Sequence, residues 1–354
     1  MVAELTLLSA AHLLVDGICA ATLFGSDQTT LLEALMIYNT LAFTTQCLTG
    51  MIPDKFGRGR LFVALSALLL AGGALIPMPL SGKAILIGLG NSLFHVSGGY
   101  LTLKSSKGLS HLGIFVAPGA IGLFLGRAFP VLRIAFTSAM LLLSAALLFM
   151  GKKYDAGAKD ASVLKDGEES VLCGGADDRA KRALIAGLLL IAVAARAVGG
   201  SAVVFPWKTT VLLGFIMTFF VFLGKAVGGI LADRFGLISV ASVSVIAASV
   251  LIAFFNGSAM LSMAGQFALN LSMPITLYLI YRLYPDSPGF AFGLAASALW
   301  PGTLIGKMIE LTGAYARALI IICFVMGLAT VCIAWAYLND YKGGLKWKES
   351  DSHC

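Results

Sequence analysis

The sequence predicts an all-α polytopic membrane protein of about 12 transmembrane helices, arranged as two pseudo-symmetric six-helix bundles. Three observations support this fold class: the composition, a series of apolar runs, and an internal repeat. Of the 354 residues, 58% are hydrophobic and 12% are charged, and the mean hydropathy is +0.91. A soluble domain carries about 25% charged residues. The composition therefore excludes an ordinary soluble enzyme, a disordered protein and a nucleic-acid-binding protein, despite the net charge of +7.

The apolar runs are separated by polar or glycine-rich breaks and have the length of membrane spans. The first lacks a basic leading segment and contains His12 and Asp16, so we interpret it as a transmembrane helix and not as a cleaved signal. The predicted spans are residues 3–25, 31–53, 61–79, 84–104, 108–127, 130–150, 182–204, 207–232, 237–255, 258–282, 288–310 and 314–338.

One polar stretch divides these spans into two sets of six. The predicted organisation is an N-terminal six-helix bundle at 1–150, a cytoplasmic linker at 151–181, a C-terminal six-helix bundle at 182–340 and a cytoplasmic tail at 341–354.

The positions of Lys and Arg predict the orientation in the membrane. We place the linker, both termini and the loops after even-numbered spans on one side, which then holds 17 of these cations against five on the other. The positive-inside rule makes that side cytoplasmic. We therefore expect a multi-pass protein of the plasma (inner) membrane with both termini cytoplasmic. Three cations, Arg196, Lys225 and Lys307, remain inside predicted helices.

The two halves of the sequence repeat each other. Residues 50–60 follow the second span and match residues 229–236 after the eighth, at an offset of 179 residues. The same offset pairs Gln46 with Lys225 and Asn91 with Asn270. With a small insertion, Pro118-Gly119 pairs with Pro301-Gly302. Internal repeats of this kind are typical of transporters, whose substrate site lies near the midplane between the halves.

The loop at 50–60 resembles the signature loop of the major facilitator superfamily. A narrower resemblance, to the fosmidomycin-resistance-like efflux branch, lies in Ser9-Ala-Ala-His12-Leu-Leu-Val-Asp16 and in Gly88-Leu-Gly-Asn-Ser-Leu-Phe-His95. The resemblance implies the major facilitator fold and a conformational latch that biases the outward-facing state. Its residues would be Gly50, Asp54, Lys55, Gly57, Arg58 and, as a weaker second latch, Asp233 and Arg234. It also implies a helix-packing motif of proton antiporters at Pro118, Gly119, Pro301 and Gly302.

Ionisable side chains at bilayer depth are candidates for mechanism, because burying each costs about 2.5–3.5 kcal/mol on insertion scales. His12 and Asp16 lie one helical turn apart on the same face. An imidazole beside a carboxylate can pass on a proton, so we predict proton coupling by Asp16, His12 and His95. The alternative is a fixed polar pair that orients the first helix against a neighbour.

We expect the substrate to contact polar side chains that the resemblance directs towards a central cavity lined by helices one, four, seven and ten. Arg196 lies almost at the repeat position of Asp16, and its guanidinium suits a carboxylate or phosphonate. The alternatives are a permanent Asp16–Arg196 bridge, interhelical hydrogen bonding, and a Lys307 side chain that reaches the membrane surface. The predicted substrate-binding residues are Asn91, His95, Arg196, Gln266, Asn270, Lys225 and Lys307.

The sequence contains no enzyme, nucleotide-binding or metal-binding motif, and the six cysteines have no disulfide or metal spacing. We predict a non-enzymatic, cofactor-free secondary active transporter that works as a monomer among membrane lipids. Its expected partners are a small amphiphilic or anionic organic solute and protons, and we predict proton antiport and efflux. The alternatives are organic-anion uptake or facilitated diffusion without proton coupling, and a non-transporting sensor with a transporter fold.

Overall fold

The computed structural model describes residues 2–26, 28–105, 108–154, 176–309 and 313–351. These residues form helices and no strands. The N-terminal half contains α1 (Val2–Phe24), α2 (31–56), α3 (Gly59–Leu75), α4 (Leu80–Ser105), α5 (Leu109–Ala128) and α6 (Arg133–Tyr154). The C-terminal half contains α7 (Ala176–Ser201), α8 (Val211–Phe235), α9 (Leu237–Phe255), α10 (Ala259–Leu283), α11 (Pro288–Met308) and α12 (Gly313–Asp351).

Ten of these helices are long and apolar enough to cross a membrane, and the apolar helices Leu31–Thr44 and Gly59–Leu75 are shorter. Many large apolar side chains on the helices remain exposed to the surroundings, among them Leu68, Leu142, Phe149, Val243 and Ile322. Such a surface would make a soluble protein aggregate, but it suits lipid. The all-helical polytopic fold predicted from composition is therefore confirmed.

Two helices extend more than five residues beyond the predicted spans. Helix α7 begins at Ala176 and α12 continues to Asp351, whereas the apolar runs begin at 182 and end at 338. Hydropathy marks where a helix leaves the membrane, but good helix formers such as Ala, Lys and Arg continue it into water. Residues 155–175 of the predicted linker lie outside the described residues.

Several helices change geometry inside the membrane. Helix α2 consists of Leu31–Asn39, a π-helical turn at Thr40–Thr44, and Gln46–Phe56. Such π turns occur mostly at functional sites. Helix α5 is divided before Pro118 and helix α10 before Met273-Pro274, because proline cannot donate the backbone hydrogen bond that a continuous helix requires.

The packing has the pseudo-symmetry that the repeat predicts. Helix α1 packs against α5 and α6, as α7 packs against α11 and α12, while α3–α4 corresponds to α9–α10. The halves meet mainly through α2 with α11 and α5 with α8, and these two pairs are also related by the repeat. Below, the linker face is the membrane face that carries the α2–α3 and α8–α9 loops, and the distal face is the opposite one.

Candidate functional site

A cavity of about 650 Å³ lies between the two halves. Its lining comes from α1, α2, α4 and α5 in the N-terminal half and from α7, α8, α10 and α11 in the C-terminal half. It extends from His12 and His95 in the middle of the bundle to Phe24, Arg127 and Lys208 at the distal face. Helices one, four, seven and ten thus all contribute, as expected, together with four others.

The deep end of the cavity holds a titratable cluster from α1 and α4. The Nε2 atoms of His12 and His95 are 2.9 Å apart. Asp16 lies beside both, with Oδ2 3.5 Å from His12 Nε2 and Oδ1 3.7 Å from His95 Nε2. The Asn91 amide donates a hydrogen bond of 3.0 Å to Asp16 Oδ1. The structure therefore brings together two pairs that the sequence placed on separate helices.

Backbone carbonyls orient both imidazole rings. His12 Nδ1 donates to the Phe115 carbonyl oxygen at 2.8 Å, and His95 Nδ1 donates to the Asn91 carbonyl oxygen at 2.9 Å. Because a carbonyl oxygen only accepts, each Nδ1 carries a hydrogen and each Nε2 faces the cluster. The rings of Phe94 and Phe115 enclose His12, with centroid distances of 5.8 and 5.0 Å.

Gly119 of the predicted packing motif lies directly against this cluster. A Cβ atom at this position would be 2.5 Å from His12 Nε2 and would also collide with the Asp16 carboxylate. In the other half, Gly302 lies against the Ala194 backbone of α7. The first Pro-Gly pair therefore lets α5 pack closely against α1, and the second lets α11 pack closely against α7.

The C-terminal half contributes cations to the cavity wall. Arg196 of α7 donates a hydrogen bond of 3.4 Å to the Thr276 hydroxyl of α10. Lys225 of α8 also lines the cavity, and its charge interacts with those of Asp16 and Arg196. Among the ion pairs between described residues, none joins Asp16 to Arg196. This conformation therefore has no Asp16–Arg196 bridge.

Four predicted substrate contacts do not belong to the cavity lining. Asn91 is fully buried behind Asp16. Within α10, the Asn270 amide donates to the Gln266 backbone carbonyl oxygen at 2.8 Å, so it is used within its own helix. Lys307 is exposed near the distal end of α11. The lining does include His95, Arg196 and Lys225.

The structure adds polar lining residues that the sequence analysis did not select. Gln46 is fully buried, and its Oε1 atom has no hydrogen-bond partner. The repeat pairs Gln46 with Lys225, so the prediction that Lys225 contacts substrate could have been extended to Gln46; both residues line the cavity. The other additions are Tyr38, Asn39, Arg127, Lys208, Thr218, Thr276 and Thr303. Arg127 and Lys208 are close to the ends of predicted spans, where a cation is most simply explained as a topology signal.

Two carboxylates join the halves at the linker face. Asp54 at the end of α2 accepts hydrogen bonds from the first-turn amides of α11, Gly289 at 2.8 Å and Phe290 at 2.7 Å. Asp233 at the end of α8 accepts from the first-turn amides of α5, Leu109 at 2.9 Å and Ser110 at 2.8 Å. The four hydrogen-bond lengths differ by at most 0.2 Å, so they do not mark the Asp233 contact as weaker than the Asp54 contact. Each carboxylate faces the positive end of a helix dipole.

The remaining residues of the predicted latch surround these contacts. Gly57 ends α2 with a left-handed φ of 66°, a conformation that favours glycine, and its amide donates to the Pro53 carbonyl oxygen. Arg58 is exposed. Lys55 and Arg234 lie over the rings of Phe56 and Phe235, at 5.6 and 5.3 Å from the ring centroids.

Comparison with known proteins gives the fold. No protein-family model matches the sequence, and no curated protein matches it. Among solved structures, a variant of the E. coli fucose:proton symporter FucP is similar over 93% of this chain and 98% of that chain, with 12% sequence identity and a TM-score of 0.59. A second structure, of the major facilitator superfamily transporter FucP in the outward conformation, has the same identity, coverage and TM-score. The chain has the major facilitator fold.

Proposed function

We propose that this protein is a secondary active transporter that moves a small organic solute by alternating access and couples the movement to protons. The observation that carries the proposal is the cavity between the repeat-related halves, with the Asp16–His12–His95 cluster on one wall and Arg196 and Lys225 on the other. A midplane site between internal repeats is the usual arrangement in secondary transporters. The fold neighbours, major facilitator transporters including a fucose:proton symporter, are consistent with it.

The charge of the cavity favours an anionic or amphiphilic solute. Arg196 and Lys225 lie at depth, Arg127 and Lys208 lie at the distal mouth, and among the described residues Asp16 is the one acid in the lining. A volume of about 650 Å³ is within the range of about 300–1,000 Å³ typical of small-molecule sites. Apolar lining residues such as Leu123, Phe124 and Phe292 would hold the organic part of the solute.

We assign the described conformation to the outward-facing state. The cavity reaches the distal face, which the positive-inside rule places outside the cell, and Asp54 and Asp233 hold the linker face closed. Both termini are then cytoplasmic in a plasma (inner) membrane protein.

For the direction of transport we propose proton antiport and efflux by a monomer, on the sequence resemblance to the fosmidomycin-resistance-like branch. Uptake of an organic anion without proton coupling is the alternative, favoured by the cationic cavity wall.

The test begins with a ligand screen of the purified protein. Thermal unfolding is measured with phosphonates, small carboxylates and amphiphilic cations, and the expected hits are anions. Arg196→Gln should weaken their binding about tenfold or more, because a hydrogen bond to a charged group is lost. Hits restricted to amphiphilic cations would contradict the anionic assignment.

A hit is then followed in proteoliposomes under an imposed pH gradient. We expect gradient-driven transport in the wild type and its loss in Asp16→Asn, while Glu33→Gln, at an exposed distal acid, retains it. Wild-type transport that does not change with the pH gradient but follows the membrane potential would favour uptake of an organic anion without proton coupling. Full gradient-driven transport by Asp16→Asn would remove Asp16 from the coupling. A ligand that binds but is never transported would support the alternative of a non-transporting sensor with a transporter fold.

A further inference from the structure

The contact between His12 and His95 constrains where a proton lies. Each ring uses its Nδ1 hydrogen for a backbone carbonyl, Phe115 for His12 and Asn91 for His95. Two neutral rings in these tautomers would present bare lone pairs to each other at Nε2. The two Nε2 atoms are 2.9 Å apart, which is the length of a hydrogen bond. One hydrogen must therefore lie between them.

We infer that the outward-facing state holds one proton between Nε2 of His12 and Nε2 of His95, and that Asp16 remains ionised as its counter-ion. The inference rests on the proton coupling proposed above and identifies the carrier as the histidine pair instead of the carboxyl group. It also gives the number of protons at this site as one.

The distances at Asp16 support this assignment. The carboxylate oxygens are 3.5 and 3.7 Å from the nearest imidazole nitrogens, too far for hydrogen bonds but close enough to neutralise an imidazolium. The oxygen Oδ1 accepts from the Asn91 amide at 3.0 Å. Since His12 is the nearer of the two rings to the carboxylate, the positive charge is favoured on His12, with His95 as the acceptor.

The surroundings supply few competing charges. The other titratable side chains that interact with the cluster are Cys19 of α1, Tyr38 of α2 and Lys225 of α8. Helix α5 contributes the Phe115 carbonyl and the backbone of Gly119, and the apolar ring of Phe292 of α11 packs against the Phe115 ring. Asp16 is thus the one acid among these groups, as required of a counter-ion.

The same three side chains could in principle hold a metal ion, because their ligand atoms all lie within 4.8 Å of one another. Ligands of a tetrahedral ion with bonds of about 2.0 Å are separated by about 3.3 Å. The nitrogen separation of 2.9 Å is shorter than this and matches a shared hydrogen. The geometry therefore favours the proton over a metal.

Infrared spectroscopy of the full chain in nanodiscs, with ¹⁵N-labelled histidine, tests the inference without any substrate. At neutral pH we expect the bands of one imidazolium, lost in His95→Gln and in His12→Gln. His111→Gln removes a histidine outside the cluster and should keep these bands. No carboxylic-acid band should disappear in Asp16→Asn, because that group is already ionised. This variant also keeps the test decisive if a histidine variant does not fold.

Two results would overturn the inference. The first is a carboxylic-acid band of the wild type that is lost in Asp16→Asn, which would make Asp16 the carrier. The second is stoichiometric binding of Co²⁺ to tag-free protein, seen as visible absorption that His95→Gln abolishes and His111→Gln retains. If the imidazolium bands are present but no proton-driven transport is ever detected, the proposed function fails and the protonated pair remains.

Discussion

At the cavity mouth, Lys208 is held close to other cations. Partial burial lowers the pKa of Lys208, and the nearby charges of Arg127 and Lys307 lower it further. The folded protein therefore binds a proton at this site less readily than the unfolded chain does. Stability then rises with pH through the alkaline interval between the folded pKa and the ordinary lysine value, since the unfolded chain binds more protons there.

We predict that Lys208→Gln raises the melting temperature at neutral pH by about 1–3 °C, the scale of one exposed charge interaction. The advantage should shrink as the pH rises, because wild-type Lys208 then loses its charge. Melting curves from neutral to alkaline pH measure both effects. Lys83→Gln neutralises another lysine near the distal face, in the first turn of α4, and serves as the control. An advantage that persists unchanged at alkaline pH would show that charge is not the cause.

Individual residues of the site also show which features could be predicted from the sequence. The spacing of His12 and Asp16, and of Asn91 and His95, identifies residues on one face of one helix. The contact between His12 and His95 depends on the packing of α1 against α4 and on two backbone carbonyls. No pattern within either helix contains that information. For the same reason, the side chains of Gln266 and Asn270 could not be excluded from the cavity by sequence.

Helices α2 and α11 pack closely against each other at glycine residues. A Cβ atom at Gly50 would collide with the Gly289 backbone, and one at Gly293 would collide with the Gln46 carbonyl oxygen. These contacts let the helices close the linker face, because small residues allow membrane helices to pack backbone to backbone.

We predict that Gly50→Ala forces α2 and α11 apart and destabilises the outward-facing state by about 1–3 kcal/mol, the usual cost of overpacking. Pulsed EPR between spin labels at the exposed distal positions Val131 and Val204 reports the closing of the cavity mouth. Gly72→Ala is the matched control, since its Cβ would meet only side-chain atoms at 3.7 and 3.8 Å. Equal distance distributions for the two variants would contradict the prediction.

Hydropathy located the helices well but not their irregularities. The π turn at Thr40–Thr44 lies inside the predicted span 31–53, and no sequence rule separates its residues from those of an α-helix. In contrast, Pro118 and Pro274 make the helix breaks beside them predictable, because proline lacks the backbone N–H that a continuous helix requires. Irregular geometry was therefore predictable where proline causes it and not where packing does.

For the whole molecule, the two carboxylate contacts at the linker face are related by the repeat. Asp54 and Asp233 each bind two first-turn amides of a helix in the opposite half. The offset of the repeat located both residues from sequence. Their partners could not be predicted, because every helix begins with unpaired amides.

We predict that Asp54→Asn and Asp233→Asn shift the conformational equilibrium away from the outward-facing state by similar amounts, about 1 kcal/mol each, since each removes a charge from a helix N-terminus. The double variant should shift it further. The labels at Val131 and Val204 measure the populations, and Glu33→Gln on the distal face is the control. An effect confined to Asp54→Asn would mean that the two contacts are not equivalent.

The donor side of each contact consists only of backbone amides. Because Phe290, Leu109 and Ser110 contribute backbone N–H groups, any replacement other than proline keeps the donors of these hydrogen bonds. In each contact the side-chain contribution comes from the accepting aspartate, Asp54 or Asp233. As the two copies of the repeat diverge in sequence, each contact can therefore persist as long as the aspartate and the N-terminus of the facing helix remain.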